Sequence, residues 1–134
     1  MRFDLDKTFH LHEQSLYLGA RRTALIASNL ANVDTPHYKA RDVDFFSVMR
    51  SVQRQDNAEQ TTLTDARHMQ PGGGSALEAE ALYRHPYQAN IDENTVEADV
   101  EKAKFAETAV HYQTTLTFLG DKIQGMLRAL KGQS

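Results

Sequence analysis

The sequence predicts an all-α, elongated fold in which long N- and C-terminal helices pair as a coiled coil. Two observations carry the prediction. Apolar residues recur with helical spacing over roughly thirty residues at each end of the chain, the signature of packed helices. Those helices are also longer than a compact domain of this size is wide. The 134 residues suffice for one domain and not for two. A compact domain of that length has a radius of gyration of about 14 Å, hence a diameter near ~36 Å. Helices of roughly 30 and 35 residues are ~45 and ~52 Å long. The chain therefore reads as a single unit over 1–134, with an apolar seam that it cannot cover by itself.

The first helix is expected over 4–34. Alternating steps of four and three give Leu5, Phe9, His12, Leu16, Gly19, Thr23, Ile26, Leu30 and Val33, and Leu11, Leu18 and Leu25 form a second line beside them. Together they make a broad apolar face. Asp34-Thr35-Pro36 stops the helix, because proline lacks the donor and disfavours the helical region for the residue before it. A central segment, 35–93, follows. Phe45, Val48, Met49 and Val52 share one face, which predicts a short third helix over 44–54. From 55 to 90 the chain turns polar, and the run Pro71 to Ser75 is a breaker. A flexible loop is expected there, with a small hairpin using Leu82, Tyr83 and Tyr87.

The C-terminal helix is expected over 94–131. Phe105, Ala109, Tyr112, Leu116, Leu119, Ile123, Met126 and Leu130 keep alternating steps of four and three, the seam pattern of a coiled coil. Asn94 and Glu97 have the spacing of a capping box. Acidic residues crowd the start and Lys122, Arg128 and Lys131 mark the end, a polarity that suits the helix dipole. Gly132 is a natural stop.

Composition excludes several functions. Fifteen Lys and Arg against eighteen Asp and Glu leave a net charge of −3, a poor basis for nucleic-acid binding by phosphate neutralisation. The absence of Cys removes disulfides, thiol nucleophiles and cysteine-based zinc sites. No apolar run is long enough for a membrane helix, so no membrane insertion of its own is expected. The opening MRFDLDKTF lacks the unbroken apolar stretch of a Sec signal. The chain is expected to stay in the cytoplasm or to leave by a route that reads no such signal.

Candidate chemistry is sparse. His10 and His12 are two apart and point to nearly opposite sides of a helix. His37, His68, His85 and His111 show no metal-site spacing. Asp42/Asp44 and Asp92/Glu93 read as helix-start acids rather than as a paired-carboxylate site. Glycines 72–74 lack the Lys-Ser/Thr of a phosphate loop, and no Ser lies in a nucleophile elbow. No catalytic residue, metal site, cofactor or small-molecule substrate is therefore assigned, and the chain is read as no enzyme.

The segment ASNLANVDTPHY, residues 27–38, is the most informative. Asn29 and Asn32 share a helix face although Asn is a poor helix former. Their amides suit fixing register with a neighbour or bonding the chain that turns back. An ordinary frayed helix end is the equal alternative.

Residues 27–45, ASNLANVDTPHYKARDVDF, resemble the N-terminal signature of the flagellar rod, hook and hook-associated axial protein family. The motif rests on Ser28, Asn29, Asn32, Thr35, Pro36 and Tyr38. In many members a Gly stands before the aromatic residue, where this chain has His37. Lys39 to Asp42, and residues 94–130 with Lys104 to Glu107 and Tyr112-Gln113, are similar to the proximal-rod members. Residues 55–90 match nothing. The resemblance implies a structural subunit of the flagellar basal-body proximal rod that contributes to motility. It implies export through the flagellar type III apparatus without a Sec signal, and helical assembly on the periplasmic side of the inner membrane. The implied partners are other rod subunits, further copies of itself, the MS-ring/rod junction protein and the export gate. The implied seam is Phe105, Ala109, Tyr112, Leu116, Leu119, Ile123, Met126 and Leu130 on the C-helix, with Leu16, Ile26, Leu30 and Val33 on the N-helix. The motif residues would set the helix end and a neighbour's register. Phe45 to Met49 would serve export-gate recognition, or equally a small core patch. The competing class is a cytoplasmic helical export chaperone or adaptor.

Overall fold

A computed structural model describes residues 5–58, 79–87 and 90–132. In chain order the elements are α1 (Leu5–Ala31), β1 (Arg41–Asp42), α2 (Phe45–Ala58), β2 (Leu82–Tyr83) and α3 (Ala98–Lys131). The all-α class and the packing of the two long terminal helices are as the sequence predicts. The helices run antiparallel: Asn29 of α1 reaches Glu101, and Gly19 lies against Tyr112.

α1 ends at Ala31, earlier than the apolar line implies. The Asn32 and Val33 amides bond back three residues, to Asn29 and Leu30, tightening the chain into a turn before Pro36. α2 starts at Phe45 and continues past Arg54 to Ala58. Asp44 caps it, its Oδ1 accepting from the Ser47 amide at 3.1 Å. Most of the expected loop, residues 59–78, lies outside the described residues.

Two expectations are corrected. There is no local hairpin at 82–87: Leu82 and Tyr83 pair antiparallel with Asp42 and Arg41. Tyr87 is exposed and outside the strand. The partner strand is the segment leaving α1, which presents extended backbone because Asn29 holds it. The capping box also fails. α3 begins at Ala98 with Glu97 as N-cap and no side-chain cap bond, because the Asn94 side chain is occupied elsewhere. At the far end Gly132 takes φ +65° and its amide bonds Ala129 O, a left-handed stop.

The apolar core is small. Leu18, Val43 and Ala79 are buried together, with Leu25, Phe45, Val48, Met49 and Ala81 packed against them. α2 thus folds onto α1 through the face predicted for it. Among the described residues no helix is long and apolar enough to cross a membrane.

Candidate functional site

The motif residues converge where α1 ends and α3 begins. Asn29 is 1% exposed, and its amide works like an added strand. Its Nδ2 donates to Arg41 O at 2.8 Å and its Oδ1 accepts from Arg41 N at 3.1 Å. The same Nδ2 reaches Glu101 Oε2 at 3.2 Å. Tyr38 folds back so that its hydroxyl donates to Asn29 Oδ1 at 3.4 Å and lies 3.2 Å from Ser28 Oγ. Asn32 Nδ2 donates to Ser28 O at 2.8 Å, and Thr35 Oγ1 to Asn32 Oδ1 at 3.2 Å. Asn29 thus bonds the chain that turns back, while Asn32 bonds α1 itself and the turn that follows it.

The second half of the junction comes from the segment before α3, 62 residues along the chain from Asn32. Asn94, in that segment, is also 1% exposed. Its Nδ2 faces three carbonyl oxygens of the turn after α1: Asn32 at 3.1 Å, Val33 at 2.8 Å and Thr35 at 2.9 Å. Its Oδ1 accepts from Val96 N at 2.8 Å. Two of these carbonyls also accept a backbone amide, Asn32 O from Thr35 N and Thr35 O from Tyr38 N, so Asn94 adds to a turn that already bonds to itself. Thr95 adds two links, its amide to Tyr38 O at 3.0 Å and its Oγ1 accepting from Ala40 N at 2.7 Å. His37, at φ +61°, stands in the left-handed region that favours glycine, which gives a physical reason for the Gly of the resembling motif. Its amide bonds Asp92 O at 3.0 Å.

Beside the junction lies a cluster of charges. Glu101 is fully buried, and its Oε1 accepts from Arg84 Nη2. Asp42 receives Arg22 Nε at 3.0 Å and Lys104 Nζ at 2.9 Å, with Arg84 Nη1 3.9 Å away. Burial raises the Asp42 carboxyl, but Arg22 and Lys104 outweigh it and hold the group below its ordinary value. The cluster thus joins α1, β1, α3 and the residue that follows β2. Among the described residues no group of three or more potential metal ligands gathers.

The predicted seam residues lie mainly farther along the helices. On α3, Phe105, Ala109, Tyr112, Leu116, Ile123 and Leu130 are exposed, while Leu119 and Met126 are half-buried. Phe105 is 46% exposed, Leu116 39% and Ile123 43%. On α1, Ile26 is buried, Leu16 is half-buried and Leu30 is exposed, and Val33, in the turn after α1, is half-buried. The α3 positions most shielded by the fold are instead Glu101 and Thr108. Tyr112 is the seam residue that meets α1 at Gly19, where an added Cβ would sit 3.4 Å from its ring. Phe45 stacks on His111 with centroids 6.4 Å apart, and with Val48 and Met49 it packs on the core, whereas Phe46 is exposed.

Comparison with known proteins decides the family. A family model described as "Flagella basal body rod protein" matches residues 16–39, the span that holds the junction motif. The chain is 44% identical over 123 residues to the flagellar basal body rod protein FlgB of Cereibacter sphaeroides, covering 92% of this chain and 93% of that protein. It is 38% identical over 132 residues to FlgB of Salmonella typhimurium, covering 96% of each. It is 37% identical over 131 residues to FlgB of Proteus mirabilis, covering 95% and 96%. The chain belongs to the FlgB family.

Two residues of this FlgB-family junction carry no local signal of their role, and a third carries a misleading one. Glu101 reads as one more acid at a helix start, a place where acids are ordinary. Arg84 lies in a polar stretch without periodicity. Asn94 has a visible signal, a capping spacing with Glu97, but its use is to cap the other helix. Only the long-range pairing of 41–42 with 82–83 brings Arg84 to Glu101, and no local pattern encodes that.

Proposed function

We propose that this chain is a structural subunit of the flagellar basal-body proximal rod. It is exported through the flagellar type III apparatus and assembles helically near the MS ring and the export gate. Its neighbours there are other rod subunits, further copies of itself and the MS-ring/rod junction protein, and its work is to support motility rather than to catalyse a reaction. The observation that carries this reading is the row of exposed apolar side chains on α3, Phe105, Leu116, Ile123 and Leu130, beside a junction whose asparagine amides are satisfied internally. An extended row of exposed apolar residues marks an interaction face. Heterologous contacts of such faces generate helical assemblies. The exposed seam residues of α3 and Leu30 of α1 are assigned to those contacts, Ile26 being buried within the chain itself, and the motif residues to fixing the angle at which the two helices leave the junction.

Quantitative mass spectrometry of purified hook–basal bodies against the cytoplasmic fraction tests the proposal. Peptides of this chain are expected in the basal bodies. A chain confined to the cytoplasm would overturn the rod assignment in favour of an export chaperone or adaptor.

A further inference from the structure

Residues 79–87 form a strap across the helix junction. Its outer face is open: Leu82 is 56% exposed, Tyr83 73% and Tyr87 82%. Among the described residues its inner face is held by the core, against which Ala81 also packs, and by backbone hydrogen bonds. Ala79 joins Leu18 and Val43 in the core, the Arg84 amide bonds Ala40 O at 2.9 Å, and two residues pair with β1. The Arg84 side chain adds a further tie, entering the charge cluster to meet fully buried Glu101.

We infer that the strap is a latch, and that its closure through Arg84 is coupled to the pairing of α1 with the first turns of α3. The Glu101 carboxylate meets Asn29 from α1 and Arg84 from the strap. When the strap lifts, Glu101 keeps the neutral amide and loses the cation. A carboxylate that loses its counter-charge is strongly unfavourable unless water reaches it, and water admitted at Glu101 competes with its Asn29 contact. Opening the strap therefore loosens the helix junction. The coupling is reciprocal: whatever holds the strap closed also tightens the junction.

The loss is asymmetric, and that gives the test. Without Arg84, Glu101 is stranded inside. Without the Glu101 charge, Arg84 keeps Asp42 nearby and has a long stem that can turn toward solvent from its place just after β2. Hydrogen exchange read by mass spectrometry on the full chain compares Arg84→Met, Glu101→Gln and the double variant. Arg84→Met is expected to speed exchange about tenfold or more both at 82–84 and at 101–105. Glu101→Gln is expected to speed 82–84 while leaving 101–105 within about threefold, and the double variant to match Glu101→Gln. If Arg84→Met does not fold while the double variant does, the same coupling is seen in stronger form. Faster exchange confined to 82–84 in Arg84→Met, equal loosening of 101–105 by both single variants, or failure of both Arg84→Met and the double variant to fold would overturn the latch.

Discussion

Around Asn29 the two long helices meet through buried amides and carboxylates that bond to one another and to the turning backbone. Around Leu116 the same α3 carries apolar side chains (Phe105, Leu116 and Ile123) that its own chain leaves 39–46% exposed. An ordinary small domain would have these reversed, with apolar contacts inside and polar groups at the surface. The difference teaches how labour is divided along the helix pair. Hydrogen bonds are directional and fix one geometry, so the junction sets the angle and register of α1 and α3. Apolar contact is non-directional and proportional to area, so the exposed row suits the subunit contacts proposed for it.

The largest expected effect is at the junction. Asn94→Ala removes a donor from three turn carbonyls, leaving Val33 O without one while Asn32 O and Thr35 O keep a backbone amide, and it removes the acceptor from the Val96 amide. It should cost about 3 kcal/mol of folding stability, read from the denaturant midpoint, since buried unpaired groups cost on the order of 1–3 kcal/mol each and water relieves some of them. Asn29→Ala strands both backbone groups of Arg41 and should cost about 2–3 kcal/mol by the same measure. A loss below about 1 kcal/mol in both would break the contrast between the two ends.

Asp42 gives the pH dependence. Its folded-state pKa lies below the ordinary value of 3.8. The unfolded chain thus binds its proton first as pH falls, and stability drops through and below 3.8. Asp42→Asn should flatten that part of the stability–pH curve, and an unchanged slope would contradict the ion-pair assignment. Smaller still is His37→Gly. Relief of the left-handed backbone is offset by glycine's greater entropy loss, so thermal melting should show a gain of only about 0.5 kcal/mol.

The fold was legible in the sequence where periodicity was long. Both terminal helices and the apolar face of α2 follow from spacing alone. The boundaries were less so, because Asn94 and Asn32 direct their side chains to the end of α1, and a capping pattern does not say which helix it caps. The junction motif was visible as Asn29, Asn32 and Tyr38, but its partners Glu101 and Arg84 were not. Glu101 lies 72 residues from Asn29 and 17 from Arg84, and only the folded chain brings the three together.

The most direct test of the division of labour is Leu116→Asp, with Leu119→Asp beside it. Leu116 is already 39% exposed, so the free Leu116→Asp subunit should melt within about 1 kcal/mol of wild type. Mass spectrometry of basal bodies from the variant strains should find the subunit missing from the rod although it is made normally. Equal amounts of variant and wild-type subunit in the basal bodies, with normal motility, would contradict the account.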